Sequence, residues 1–186
     1  MVNVAAVVEL VKPGLVGVIP TDTIYGLVAR AADQQAVERL YKLKSRENKP
    51  GTLIAASIEQ LVELGIKRRY LTAVSQYWPG AVSVVIPCDA SLSYLHQGKF
   101  SLAVRIPDDQ TLQGILNETG PLITSSANDP GEPTAVTIEE AKQYFNEKVD
   151  FYEDGGDLSG RPPSTVIRIV DDAVEVLRQG AVTVEV

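Results

Sequence analysis

Short β-branched apolar runs alternate along this chain with stretches of helical spacing, and that alternation constrains the fold more than any other feature. LVGVIP (15–20), GTLIAAS (51–57), AVSVVIP (81–87), SLAVRIP (101–107) and PLITS (121–125) read as buried strands. Between them, NVAAVVELVK (3–12), DQQAVERLYKLKSR (33–46), IEQLVEL (58–64), RRYLTAVSQYW (68–78), DDQTLQGILNETG (108–120) and TIEEAKQYFNEK (137–148) read as helices. Their boundaries carry start and stop signals: Asp33, Ser57 and Thr137 as caps, Pro13-Gly14, Pro79-Gly80 and Gly120 as terminators. TDTIYGLVARAA (21–32) is small and polar. STVIRIV and AVEVLRQ, joined by Asp171-Asp172, read as a late hairpin, so the expected sheet is mixed within an α/β fold.

Bulk properties remove whole classes of function. The 186 residues suit one domain, 1–186, with 45% hydrophobic and 22% charged residues as in ordinary globular proteins. No apolar run reaches the ~18 residues of a membrane span, and the N-terminus has neither a cationic start nor a small-residue cleavage site. The expectation is a cytoplasmic protein without a membrane partner. A single Cys88 excludes an intrachain disulfide and a cysteine-based metal site, and the lone His96 argues against a histidine triad. A net charge of −7 disfavours a broad nucleic-acid footprint but allows a local basic pocket for a small anion.

Four polar segments fall where strands end: PTDTIYGL (20–27), KSRENKP (44–50), TSSAN (124–128) and PPST (162–165). Open α/β sheets bind ligands in loops at strand ends, so hydroxyls directly after apolar strands carry information. Each segment alone also suits a turn or a cap, and Lys42 and Lys44 complement a helix dipole. Together they suggest an anion met by Lys, Arg and hydroxyls, without a P-loop or a G-x-G-x-x-G cradle.

PTDTIYGL, K-S-R at 44–46, WPG at 78–80, SLAVRIP, PLITSSAN at 121–128, DGG at 154–156, STVI at 164–167 and VLRQG at 176–180 follow in the order and spacing of the YrdC-type threonylcarbamoyl-AMP synthases. The chain resembles the short, single-domain form of that family. The resemblance implies a twisted mixed sheet with flanking helices around a concave cavity, the YrdC-like fold. It implies condensation of L-threonine, bicarbonate and ATP, with Mg²⁺ bound alongside ATP, to threonylcarbamoyl-AMP and pyrophosphate. A separate transfer complex then modifies tRNA.

On matching positions, Lys44, Arg46, Asn48, Ser126, Asn128, Thr134 and Arg178 are expected at ATP, and Thr21, Arg105, Thr124 and Ser164 at threonine, with Tyr25 shaping the wall. Neither a covalent nucleophile nor a protein-held metal is expected. Asp154, like Trp78, reads as structural, the first in a turn and the second in packing. Glu47, Pro130, Arg168 and Asp22 depart from the usual family residues; Asp22, in place of the commoner Glu, reads as neutral. Two alternatives stay open: a non-enzymatic double-stranded RNA-binding or ribosome-maturation module, with weak RNA binding also a possible side property of the enzyme, and a paralogue without threonine activity.

Overall fold

The structure, a computed structural model, describes residues 2–45 and 49–184. Strands β1 (Gly17–Pro20), β2 (Tyr25–Arg30), β3 (Thr52–Ile54), β4 (Val82–Pro87), β5 (Ser101–Arg105), β6 (Leu122–Ser126), β7 (Phe151–Tyr152), β8 (Thr165–Val170) and β9 (Ala173–Arg178) form one open sheet in the order β7-β1-β2-β6-β3-β5-β4-β8-β9. Its pairings are parallel for β1·β7, β3·β5 and β4·β8 and antiparallel for the other five, so the sheet is mixed as expected. Helices α1 (Val4–Leu10), α2 (Gln34–Leu43), α3 (Ile58–Leu64), α4 (Arg68–Thr72), α5 (Ser93–His96), α6 (Gln110–Thr119) and α7 (Ile138–Phe145) flank it. No helix among the described residues is long and apolar enough to cross a membrane.

The expected caps are in place. Asp33, Ser57 and Thr137 accept from the backbone N–H groups of Ala36, Gln60 and Glu140, and Gly120 closes α6 with φ 77°. Asp171 and Asp172, at φ 49° and 62°, form a tight left-handed link between β8 and β9; two successive positive φ values match the twist of a hairpin. Two expectations need correction. The small, polar 21–32 stretch contains β2, which pairs with β1 through a hairpin at Thr21–Ile24. Its Tyr25, Leu27, Val28 and Ala29 are fully buried, but Gly26 and the polar flanks mask the apolar run. The expected helix over 68–78 is α4 followed by a separate 3-10 turn at Ser75–Tyr77.

Strand alternation sorts the core into two faces. Leu27, Leu53, Val84, Leu102, Val104, Ile123 and Ile167 point to one face, where they pack with Leu40 of α2, Leu61 of α3, Leu71 of α4, Leu95 of α5 and Phe145 of α7. The opposite face carries Ile19, Val28, Ile54 and Leu122 under Val7 of α1 and Leu112, Ile115 and Leu116 of α6. Two residues further along the same strands and on this same face stand Gly26, Thr52 and Thr124, joined in register by Ala103, with Arg105 on the same face of β5 opposite Ile54. The change from aliphatic to hydroxyl and glycine marks where α1 and α6 no longer cover the sheet.

Asp33 ties this layout together, because its second carboxylate oxygen accepts from Gly14 N–H at 2.5 Å and so joins the α1–β1 turn to the start of α2. Asp33→Ala is expected to cost about 1–2 kcal/mol, read as a lower urea midpoint with an unchanged slope.

Candidate active site

On the uncovered part of that face lies a cavity of about 260 Å³ lined by Thr21, Thr124, Ser126, Arg105, Ser164 and Arg178 together with Gly26, Thr52 and Pro163. It therefore gathers residues from the β1–β2 loop, the ends of β5 and β6, and the β8–β9 unit. All four positions expected at threonine line it, as do two of those expected at ATP.

Close backbone approach shapes the floor. A Cβ on Gly26 would lie 2.5 Å from Thr124 Oγ1, and one on Gly51 would lie 2.6 Å from Thr124 O, so only glycine leaves room there. Thr21 organises the loop above: its Oγ1 donates to Ile24 O at 2.6 Å and accepts from Thr23 N–H and Ile24 N–H. Tyr25 is fully buried and does set the wall. Its hydroxyl donates to Gly156 O and accepts from Gly155 N–H, both at 2.8 Å, which fastens the DGG turn to β2. Burial raises the Tyr25 phenol above its ordinary range, partly offset by the Gly155 N–H. Asp154 accepts from Gly156 N–H within that turn, in keeping with the turn reading.

Arg105 is the central charge, with its side chain only 4% exposed. Nη2 donates to Asp22 Oδ1 at 2.9 Å, and Nη1 donates to Ser83 Oγ at 3.2 Å. Arg105 Nε and Asp22 Oδ2 are both buried without a hydrogen-bond partner among the described residues. Asp22 is thus the counter-ion of Arg105. Ser83 Oγ in turn lies 2.9 Å from Ser164 Oγ, and Arg178 donates to Ser164 O at 2.8 Å and to Ser164 Oγ at 3.2 Å.

The remaining nucleotide-side residues divide. Lys44, at the end of α2 and 3% exposed, donates from Nζ to Ser126 O at 2.8 Å and to Asn128 Oδ1 at 2.7 Å. Asn128 Oδ1 also accepts from Ser126 Oγ at 2.6 Å, and its Nδ2 donates to Glu132 O. Lys44 and Asn128 are therefore a clamp behind the cavity floor, and neither lines it. Thr134 is half-buried in the following loop and also outside the lining. Arg46, Glu47 and Asn48 lie outside the described residues. Arg168 pairs with Glu175 across the exposed β8–β9 hairpin, away from the cavity, which accounts for a basic residue there.

Gly26 and Gly51 make room for the cavity and Ser83 and Asp22 brace its Arg105, roles that motif reading does not assign. A signal exists for Ser83, the one hydroxyl in an otherwise apolar VSVVIP run. Nothing local marks Asp22 as the partner of a residue 83 positions away. Outside the cavity, burial pushes the Cys88 thiol up to about 11, so it stays protonated and unreactive near neutrality. His96 is fully buried; its Nδ1 accepts from Gly98 and Phe100 N–H groups, and Trp78 Nε1 donates to Val82 O, all structural uses.

Fold and cavity together define an α/β protein whose sheet face holds a small polar pocket, with the buried Arg105 at one side and a second arginine, Arg178, at the other. The chain belongs to the Sua5/YciO/YrdC family, whose model, described as "Telomere recombination", matches residues 9–180. It is 32% identical to the threonylcarbamoyl-AMP synthase of Vibrio campbellii, with 97% of this chain and all of that protein covered. It is 31% identical to the Bacillus subtilis threonylcarbamoyl-AMP synthase over 98% of this chain, which spans 55% of that relative's length. Among solved structures, Pyrococcus abyssi Sua5 in complex with L-threonine matches 95% of this chain and 54% of its own at a TM-score of 0.82 and 28% identity.

Because Asp22 and Arg105 are both buried, removing one leaves the other uncompensated. Asp22→Ala is expected to destabilise by about 3–5 kcal/mol. Adding Arg105→Ala in the double variant should recover part of that loss, a non-additivity read from a double-mutant cycle in denaturant.

Proposed function

We propose that this chain is an L-threonylcarbamoyl-adenylate synthase, condensing L-threonine, bicarbonate and ATP into threonylcarbamoyl-AMP and pyrophosphate. Its product serves a separate, cytoplasmic complex that transfers the threonylcarbamoyl group to tRNA. The observation that carries this reading is the gathering of Thr21, Arg105, Thr124 and Ser164 with Ser126 and Arg178 in one cavity. The names of the two synthase relatives and the threonine bound to the Pyrococcus abyssi protein support it.

Arg105 lines the cavity, its charge balanced by Asp22 at 2.9 Å, and offers a cation to the carboxylate of an α-amino acid. Arg105 retains Nε as a donor, and an Nε/Nη edge is the geometry that takes a carboxylate bidentately. Once neutral, the amine attacks the carbon of CO₂ supplied by bicarbonate, and the N–C bond forms as the nitrogen releases a proton. An oxygen of the new carbamate then attacks the α-phosphorus of ATP, the bond to the bridging oxygen breaks, and pyrophosphate leaves with the electron pair. No protein nucleophile is required; the residues act by placing two substrates in line and stabilising charge.

On the nucleotide side, Arg178, Ser126 and, beyond the described residues, Arg46 and Asn48 meet phosphates and ribose, while Lys44, Asn128 and Thr134 shape the loop beneath. A cation ~4 Å from a phosphate charge contributes on the order of 4 kcal/mol at an effective dielectric of ~20, before desolvation, so several must share a triphosphate. Mg²⁺ supplies further neutralisation when it arrives with the nucleotide. The described residues hold no group of three or more metal-ligating side chains, a donor set that suits a cation held chiefly by phosphates.

The test is pyrophosphate release from ATP, Mg²⁺ and bicarbonate with and without L-threonine, with mass detection of the adenylate. Threonine-dependent release is expected, and Arg105→Lys, which keeps the charge but loses the fork, should raise the threonine KM roughly 10–100-fold. Nucleotide binding without threonine dependence would indicate the paralogue, and salt-sensitive RNA binding without turnover would indicate the RNA module.

A further inference from the structure

Ser83 is the second residue of β4, fully buried between Val82 and Val84 in an otherwise apolar strand. A hydroxyl there is costly unless its hydrogen bonds are made, and both of its bonds lead to the cavity. Arg105 Nη1 can only donate, so Ser83 Oγ accepts from it. Among the described residues the single Ser83 proton then has one acceptor within reach, Ser164 Oγ at 2.9 Å. Ser164 Oγ also accepts from Arg178 Nη2 at 3.2 Å. Both lone pairs of Ser164 are thereby filled, and the proton that remains belongs to a residue lining the cavity. The polarity of the row therefore runs from Arg105 through Ser83 into Ser164, and from Arg178 into Ser164 from the other side.

We infer that Ser83 is a positioning residue for the amino-acid half of the cavity: it fixes the Arg105 guanidinium on the side away from Asp22 and makes Ser164 a hydrogen-bond donor toward bound substrate. This rests on the synthase reading above. Ser83 does not line the cavity, so its effect reaches substrate only through Arg105 and Ser164.

The consequence is a split in kinetic constants that simple destabilisation does not produce. Losing Ser83 frees Arg105 Nη1 and lets the Ser164 proton turn toward the sheet. The threonine KM should rise about tenfold in Ser83→Ala, with the ATP KM changed less than threefold and kcat lowered less than the threonine kcat/KM.

Ser83→Thr and Ser83→Val form a matched pair, equal in shape, of which only threonine keeps the hydroxyl. Both add the same methyl to the same buried position, so any packing penalty cancels between them, and the pair decides the matter even if Ser83→Ala folds poorly. The experiment is steady-state pyrophosphate release by the full chain, varying L-threonine and ATP separately, with a thermal midpoint recorded for each variant. A threonine KM at least fivefold lower in Ser83→Thr than in Ser83→Val, at similar thermal midpoints, supports the inference. Equal threonine KM values in the matched pair, or a Ser83→Ala value within twofold of wild type, overturn it while threonine-dependent turnover by the wild type leaves the synthase reading standing. A wild type without threonine-dependent turnover overturns both.

Discussion

Arg105 places a permanent positive charge near the centre of the sheet, and much of the surrounding polar structure answers to that charge. An unpaired guanidinium at 4% exposure would be prohibitive, so a carboxylate must reach it from elsewhere in the chain. Asp22 does so from the β1–β2 hairpin, which means that the hairpin register, the Thr21 turn and the glycine at position 26 all have to be right before the charge is tolerated. Such a pair is weak support for folding, since well-packed apolar residues often replace a buried ion pair without loss. Its position points instead to the cavity beside it, which Arg105 lines.

The cavity itself follows from incomplete coverage of one sheet face. Helices α1 and α6 bury Ile19, Val28, Ile54 and Leu122, and the strands then continue past them on the same face with Gly26, Thr52, Thr124 and Ala103. Alternation along a strand guarantees that such residues share a face with the aliphatic ones two positions earlier. A single run such as LITSS can thus supply core at one end and hydroxyls for the site at the other. The opposite face carries the larger apolar core, so the site is cut into a rigid sheet rather than hung on loops alone.

What could be read from the residues and what could not divides along the range of the interactions. Caps at Asp33, Ser57 and Thr137, the terminating Gly120 and the Asp171-Asp172 hairpin are local, and each is legible from a few neighbouring residues. The order of eight motif blocks led to the family and to the residues that line the cavity. Strand β2 escaped because Gly26 and its polar approach interrupt an apolar run whose burial is decided by β1 and β6 on either side. The Asp22–Arg105 pair and the Ser83 link to Ser164 span 83 and 81 positions, and no local pattern encodes them. Residue type hinted at Ser83, but only the register of β4 against β5 and β8 gives its hydroxyl partners.

Lys44 shows how a motif residue and a structural residue become the same atom. Helix α2 delivers its ammonium beneath the 126–128 loop, where it bonds to Ser126 O and Asn128 Oδ1 and so fixes the loop that presents Ser126 to the cavity. Ser126 Oγ donates to the same Asn128 oxygen, and the two donors converge on one side chain. A phosphate arriving at this loop meets a surface whose positive charge is already committed inward. Lys44 can therefore lower the energy of bound phosphate through its field while its hydrogen bonds hold the loop. Direct contact with the phosphate would require it to give up one of those oxygens. Arg178 is less constrained: it reaches the cavity while holding Ser164 and is exposed, so it can engage an incoming anion without dismantling the floor.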